Sequence, residues 1–149
     1  MNVDLEIRII LVAAVVLAAL AAGLLWRSRT GRSKKVSGGQ KIDLAELAAT
    51  KNGQPVTAFG ERITFLQFSS EFCSQCVQTA RVYKDLEQHS EGILHIEVDI
   101  TNRLDLAKKF NILQTPTTLV LDDSGRVTSR IGGTAKEQTI KDEIGHFNI

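Results

Sequence analysis

The feature that most constrains this chain is an uninterrupted apolar run close to its first residue. From Ile9 to Trp26, eighteen residues carry no charge and no strongly polar group, and residues 7–26 make a segment of twenty. A helix of roughly 20 mainly apolar residues can cross a hydrocarbon core about 30 Å thick. We therefore predict a single transmembrane helix over 7–26, in contact with membrane lipid and preceded by a short tail over 1–8.

A cleaved secretory signal is the alternative interpretation of this run. Ala19-Leu20-Ala21 offers small residues of the kind found at cleavage sites. However, apolar residues continue as far as Trp26, and the chain starts with acidic rather than basic residues. Both features favour an uncleaved span.

The charges that flank the run predict its orientation. Asp4, Glu6 and Arg8 precede it, whereas five basic residues follow closely: Arg27, Arg29, Arg32, Lys34 and Lys35. The positive-inside rule then places the larger part of this single-pass cell-membrane protein in the cytoplasm, with the extracytoplasmic face as the alternative. The Ser- and Gly-containing stretch over 27–41 predicts a basic flexible linker.

The formal net charge of +1 conceals two oppositely charged parts. Residues 1–41 carry a net charge of +5 and residues 42–149 a net charge of −4. Because the larger part is mildly acidic and its basic residues form no run, we expect no binding of nucleic acid. A hydrophobic content of 43% against 23% charged residues also excludes the disordered class.

Alternating strand-like and helix-like segments predict an α/β domain over 42–149. Ile63 to Phe68 is nearly continuous in apolar, β-forming residues, as in a central strand covered on both faces. Thr134 to Glu137 has the pattern of a capping box that opens the last helix. A strand–helix–strand order requires parallel pairing, and a hairpin turn at 122–125 adds antiparallel pairing, so the sheet is mixed. The predicted helices are 42–49, 73–89, 101–110 and 134–145, and the predicted strands are 63–68, 93–99, 117–121 and 126–131.

The chain has two cysteines, Cys73 and Cys76, placed where the central strand turns into a helix. Positions three apart lie on one face of a helix, which brings the two sulfur atoms within bridging range. Unpaired backbone N–H groups at the helix start favour thiolate over thiol at the first cysteine. The pattern therefore predicts a dithiol–disulfide exchange site.

Three other interpretations of the pair are open. It could be half of a zinc site, but His89, His95 and His146 show no ligand spacing, so we expect no metal. It could be a structural disulfide, although closing so short a loop removes little chain entropy. It could also be two buried cysteines without a joint role. The strand-to-helix context favours redox chemistry.

Several motifs together resemble the thioredoxin family over residues 55–149. They are the segment from Phe68 to Cys76, the dipeptide Thr115-Pro116, the segment from Asp123 to Val127, and Ile131-Gly-Gly133. The resemblance implies a thioredoxin-like fold, preceded here by the transmembrane helix, and chemistry without a cofactor. It also extends to membrane-tethered family members of actinobacteria.

The resemblance also implies roles for individual residues. Cys73 matches the attacking cysteine and Cys76 the resolving cysteine. Thr115 and Pro116 match a cis-proline pair beside the disulfide. With Phe72 and Gly132, they are expected to line the groove that receives substrate.

The chain departs from the family pattern close to the cysteines. Gln67 stands six residues before the first cysteine, where typical members place a buried acid, and His95 matches the lysine that partners this acid. A glutamine cannot accept a proton as a carboxylate can. His95 and Gln67 are therefore the candidates for a proton relay, with His95 as a substitute base. An ordinary strand histidine is the alternative.

We therefore expect a membrane-anchored thiol–disulfide oxidoreductase that reduces protein disulfides. Its partners would be a disulfide-containing protein or small thiol and an electron donor, either a reductase or a membrane redox protein. The alternative is a non-enzymatic redox sensor or adaptor that holds a partner at the membrane. A metal chaperone that uses both thiolates is a third hypothesis.

Overall fold

The computed structural model describes residues 3–147. The chain divides into two compact units, 1–30 and 31–149. In the first unit, helix α1 runs over Val3–Arg29. Its large apolar side chains are exposed, and among the described residues it is the one helix long and apolar enough to cross a membrane.

The second unit is built on a five-stranded mixed sheet in the order β1-β7-β6-β4-β5. The strands are β1 Ser33–Lys35, β4 Ile63–Ser69, β5 Ile93–Asp99, β6 Thr117–Leu121 and β7 Val127–Gly132, and a separate hairpin joins β2 Thr50–Lys51 to β3 Gln54–Pro55. Strands β4 and β5 pair in parallel, and the other neighbours in the sheet pair antiparallel.

Helices cover both faces of this sheet. They are α2 Leu44–Leu47, α3 Ser74–His89, α4 Leu104–Lys109 and α5 Glu137–His146. Alternate residues of the fully buried strand β4 enter two separate cores. Phe65 packs with Tyr83 of α3 and Ile140 of α5, whereas Phe68 packs with Leu106 of α4. The predicted mixed sheet flanked by helices is confirmed. Strand β4 is an interior strand between β6 and β5, and it is buried along its whole length.

The stretch that the sequence suggested as a flexible linker contains an edge strand. Strand β1 pairs antiparallel with β7, and the pairing extends at both ends. The N–H of Gly31 donates to the carbonyl of Gly132 (2.8 Å), and the N–H of Val36 donates to the carbonyl of Thr128 (2.9 Å). A flexible linker was expected because this segment has few apolar side chains to bury. Backbone hydrogen bonds to β7, whose edge would otherwise be open, instead hold it in place.

The last helix also begins later than predicted. Helix α5 starts at Glu137, and its N-cap residue Lys136 makes no side-chain capping hydrogen bond. The capping box expected from Thr134 therefore does not open this helix. Thr134 lies three residues before Glu137, the first residue of the helix, whereas an N-cap residue lies directly before the first helical residue.

Candidate active site

The two cysteines lie at the carboxyl end of β4, where the chain enters α3. They form a disulfide with 5.2 Å between the two Cα atoms. Cys73 is the N-cap residue of α3, and its sulfur accepts a hydrogen bond from the backbone N–H of Cys76 (3.1 Å). Cys76 is 2% exposed, whereas Cys73 is only half-buried. Cys73 is therefore the more accessible of the two cysteines.

The expected proline pair lies on the loop that precedes β6. The peptide bond between Thr115 and Pro116 is cis, as the sequence suggested. The hydroxyl of Thr115 lies 2.9 Å from the hydroxyl of Ser70, which leads from β4 toward the disulfide. This contact joins the proline loop to the cysteine loop.

Gly132 lies at the end of β7, next to the same loop. The N–H of Gly133 donates to the carbonyl of Pro116 (2.8 Å). A methyl group on the Cα of Gly132 would lie only 2.7 Å from the side-chain nitrogen of Gln114. The structure thus places Gly132 beside the proline loop, and the absence of a side chain leaves room for Gln114.

Phe72, directly before the first cysteine, is 94% exposed. Leu113, three residues before Pro116, is 87% exposed and was not singled out from the sequence. Large apolar side chains held in water on loops of a site are candidates for contact with a partner. Leu113 could have been found as an apolar residue in a loop.

Gln67 lies beneath the first turn of α3 and is fully buried. Its side-chain nitrogen donates to the carbonyl of Cys76 (2.9 Å) and to the hydroxyl of Ser69 (2.9 Å). Its side-chain oxygen lies 3.1 Å from Nε2 of His95. The structure therefore brings together the two residues that the sequence proposed for a relay.

His95 is a neutral imidazole at this position. Burial lowers its pKa to about 4, the nearby Lys51 ammonium acts in the same direction, and Glu87 opposes both. Because an amide oxygen only accepts hydrogen bonds, the ring carries its proton on Nε2 and donates it to Gln67. At neutral pH the ring therefore has little capacity to take up a proton.

Two further residues of this polar group, Ser69 and Glu97, were missed from the sequence. Glu97 pairs with Gln67 in the register of β4 and β5, and its carboxylate accepts a 2.6 Å hydrogen bond from the hydroxyl of Ser69. Glu97 follows His95 by two residues and so lies on the same face of the strand. That spacing was the signal that could have revealed it. Within residues 3–147, no group of three or more His, Cys, Asp or Glu side chains is arranged to hold a metal ion.

A cysteine pair at a strand-to-helix turn, next to a cis-proline loop and on a mixed sheet covered by helices, defines a dithiol–disulfide exchange protein. A family model described as Thioredoxin matches residues 43–146. The chain belongs to the thioredoxin family.

Individual relatives agree with this assignment. Thioredoxin-1 of Caenorhabditis elegans is 26% identical over 88 residues, which cover 59% of this chain and 76% of that protein. Thioredoxin of Bacillus subtilis (strain 168) is 30% identical over 78 residues, which cover 52% of this chain and 75% of that protein. Among solved structures, the complex of ferredoxin:thioredoxin reductase with thioredoxin f2 contains a similar chain. The TM-score is 0.50 at 24% identity, and the match covers 58% of this chain and 78% of that one.

The family and the bonded cysteine pair together make this protein a thiol–disulfide oxidoreductase. A protein of this class exchanges its own disulfide for the disulfide of another molecule. The reaction needs two sulfur atoms that can alternate between the bonded and the free state.

Proposed function

We propose that this protein is a membrane-anchored reductase of protein disulfides in which Cys73 is the nucleophile and Cys76 the resolving cysteine. The observation that carries the proposal is the unequal exposure of the two sulfur-bearing residues. Cys76 is buried, whereas Cys73 is half-buried at the N-terminus of α3. The free N–H groups and the dipole at this end of the helix stabilise a thiolate on Cys73.

The reaction proceeds by two successive exchanges. The thiolate of reduced Cys73 attacks one sulfur of the substrate disulfide, forms a mixed disulfide and releases the other sulfur as a thiolate. Cys76, after losing its proton, attacks the sulfur of Cys73 and releases the second substrate thiolate. The substrate gains two electrons, and the protein is left with the Cys73–Cys76 disulfide that the structure contains.

The polar group under Cys76 supports this reaction by holding the first turn of α3. Gln67 bonds to the carbonyl of Cys76, and His95 fixes the amide of Gln67. With a pKa of about 4, His95 is a weak base at neutral pH. We therefore assign His95 and Gln67 a positioning role in place of the relay expected from the sequence.

Substrate would bind along the cis-proline loop. The exposed ring of Phe72 offers an apolar surface, and the main chain of Thr115, beside the cis bond to Pro116, would pair with an extended peptide. A protein with a surface-exposed disulfide fits this groove. A small disulfide needs only the sulfur of Cys73.

A reductase must be re-reduced after every turnover. The similar chain in the complex with ferredoxin:thioredoxin reductase supports a dedicated reductase as the class of electron donor. Helix α1 supports attachment to a membrane, and the basic residues in its last turn and directly after it favour a cytoplasmic domain. In the cytoplasm, the site would be kept reduced and would act as a reductant.

Trapping of the mixed disulfide tests the proposal. In cells that carry the full chain with Cys76→Ser, we expect adducts that are linked through a disulfide to Cys73 and are released when dithiothreitol reduces that disulfide. The matched variant Cys73→Ser should form few adducts, because its remaining cysteine is buried. Equal trapping by both variants would contradict the assigned roles. A wild-type protein that oxidises once and is not recycled would support a redox sensor instead.

A further inference from the structure

A chain of hydrogen bonds connects the resolving cysteine to a carboxylate on the neighbouring strand. The side-chain nitrogen of Gln67 donates to the carbonyl of Cys76 and to the hydroxyl of Ser69, both at 2.9 Å. The hydroxyl of Ser69 donates to Oε1 of Glu97 at 2.6 Å. Three elements, β5, β4 and α3, are joined in this way.

The carboxylate at one end fixes the direction of every bond in the chain. A carboxylate only accepts, so the proton of the Ser69 hydroxyl must point toward Glu97. The lone pairs of Ser69 are then free to accept from Gln67, whose second amide proton is directed at Cys76. The amide oxygen is occupied by His95, which leaves Gln67 no alternative orientation.

The two inner members of the chain are shielded from water. Gln67 is fully buried and Ser69 is 5% exposed, whereas Glu97 is exposed. Hydrogen bonds in a shielded environment polarise one another, so a charge at one end is felt at the other. A negative charge also disfavours a second negative charge nearby, and reduction of the disulfide creates one when a thiolate forms.

We propose that Glu97 is a positioning residue of the redox site, which acts on Cys76 through Ser69 and Gln67 and biases the cysteine pair toward the disulfide. The bias follows because the negative charge of Glu97, transmitted through Ser69 and Gln67 to the main chain of Cys76, disfavours the thiolate that reduction creates. This inference rests on the exchange chemistry of the pair but not on the identity of its substrate.

An equilibrium measurement tests this role without any protein substrate. In exchange with glutathione, the Cys73–Cys76 disulfide and two molecules of reduced glutathione give the dithiol and one molecule of glutathione disulfide. The full chain in detergent micelles is equilibrated at pH 7, quenched with acid and alkylated, and the dithiol fraction is measured by mass. The variants are Glu97→Gln, Ser69→Ala and the double variant, with Glu71→Gln as a control for charge near the cysteines.

Glu97→Gln is expected to shift the equilibrium toward the dithiol by about three- to tenfold, and Ser69→Ala by about the same factor. The double variant should shift it no further than Glu97→Gln alone, because residues that act through one chain are not additive. Glu71→Gln should shift it less than about twofold, because no described hydrogen bond joins the Glu71 carboxylate to Ser69 or Gln67, and its exposed charge is screened.

Three outcomes would overturn the proposal: no shift in Glu97→Gln, additive shifts in the double variant, or an equal shift in Glu71→Gln. Glu97→Asp provides a second route if Ser69→Ala unfolds, because it keeps the charge on an exposed site but shortens the side chain. It should shift the equilibrium in the same direction as Glu97→Gln, and a wild-type value would count against the hydrogen-bond chain. Normal exchange with glutathione but no turnover of protein disulfides would instead refute the proposed reductase function.

Discussion

His95 couples the stability of the fold to pH. Its pKa is lowered from 6.5 to about 4 by burial, assisted by Lys51. Between these two values the unfolded chain binds a proton that the folded chain does not, so stability is lost as the pH falls through this window. We expect the free energy of unfolding to drop by about 2 kcal/mol from pH 7 to pH 4.5 through this residue.

Urea unfolding of the full chain in micelles at the two pH values measures this effect. His95→Gln is the matched variant, because a glutamine can still donate an N–H to Gln67 and does not titrate. The difference between pH 7 and pH 4.5 should be smaller in the variant by about that amount. The same pH dependence in both proteins would show that His95 does not cause it.

Phe72 permits a second test at the level of one residue. Its side chain is 94% exposed, so Phe72→Ala removes almost no packing and should change stability by less than about 0.5 kcal/mol. Exposed aromatic residues often provide much of the binding energy at an interface. We expect kcat/KM for a protein disulfide to fall about five- to thirtyfold, with little change for a small aromatic disulfide.

Val82→Ala is a suitable control for this measurement. Val82 is also exposed and apolar but lies on α3, nine residues beyond Cys73. Its truncation should leave both substrates unaffected. If Phe72→Ala slowed the small disulfide as strongly as the protein substrate, Phe72 would act on the cysteines rather than on the substrate.

At the level of elements, the segment before Ile42 is the least expected part of the fold. Gly39 in this segment is buried, and a methyl group on its Cα would lie 1.6 Å from the carbonyl oxygen of Val127. Gly39→Ala must therefore push the segment away from β7. We expect it to cost about 2 kcal/mol or more of stability, as measured by urea unfolding.

The neighbouring Gly38 provides the matched control. A methyl group there would meet nothing within 4 Å, although its φ of +66° lies in the left-handed region. Gly38→Ala should cost only about 1 kcal/mol through backbone strain. If residues 27–41 were a flexible linker in solution, both substitutions would be neutral.

The elements that were predicted correctly from the sequence are those that are stabilised by buried side chains. Strands β5 and β6 have the predicted bounds, and β4, β7 and α3 differ by a residue or so at one or both ends. Strand β1 was missed because its side chains are polar and it is held in place by backbone pairing with β7. The start of α5 was placed too early because the capping-box pattern says nothing about tertiary contacts.

Some residues of the active site could be predicted from the sequence and others could not. Cys73 and Cys76 could be located because both the residue type and the spacing carry chemistry. The spacing from His95 could place Glu97 on the same face of its strand, but its contact with Ser69 could not be assigned, because that contact depends on the register between β4 and β5. Register between strands that are distant in sequence is set by packing and is not written in either strand alone.

At the level of the whole molecule, the two oppositely charged parts have separate explanations. The basic residues cluster in the last turn of α1 and directly after it, where they would orient a membrane span. The acidic part is the thioredoxin domain, where Glu97 is the carboxylate connected to the cysteine pair by the hydrogen-bond chain. If α1 spans a membrane as proposed, the side on which the domain lies determines whether a reducing or an oxidising environment sets the state of the cysteine pair.

Labelling of the cysteines in intact cells tests the predicted side. The chain contains only Cys73 and Cys76, so any label reports on the domain. Cells are reduced with a membrane-impermeant phosphine and then treated with a membrane-impermeant maleimide. For a cytoplasmic domain we expect no label until the cells are permeabilised.

The complementary experiment moves the reporter to the other end of α1. In a chain with Cys73→Ser and Cys76→Ser, the substitution Asp4→Cys places one thiol before the apolar run. This thiol should react in intact cells, because a single span puts its two ends on opposite sides of the membrane. If the native cysteines were labelled in intact cells and the thiol of Asp4→Cys were protected, the domain would lie on the extracytoplasmic side instead. A reductase in that position would need electrons carried across the membrane, since the extracytoplasmic environment is oxidising.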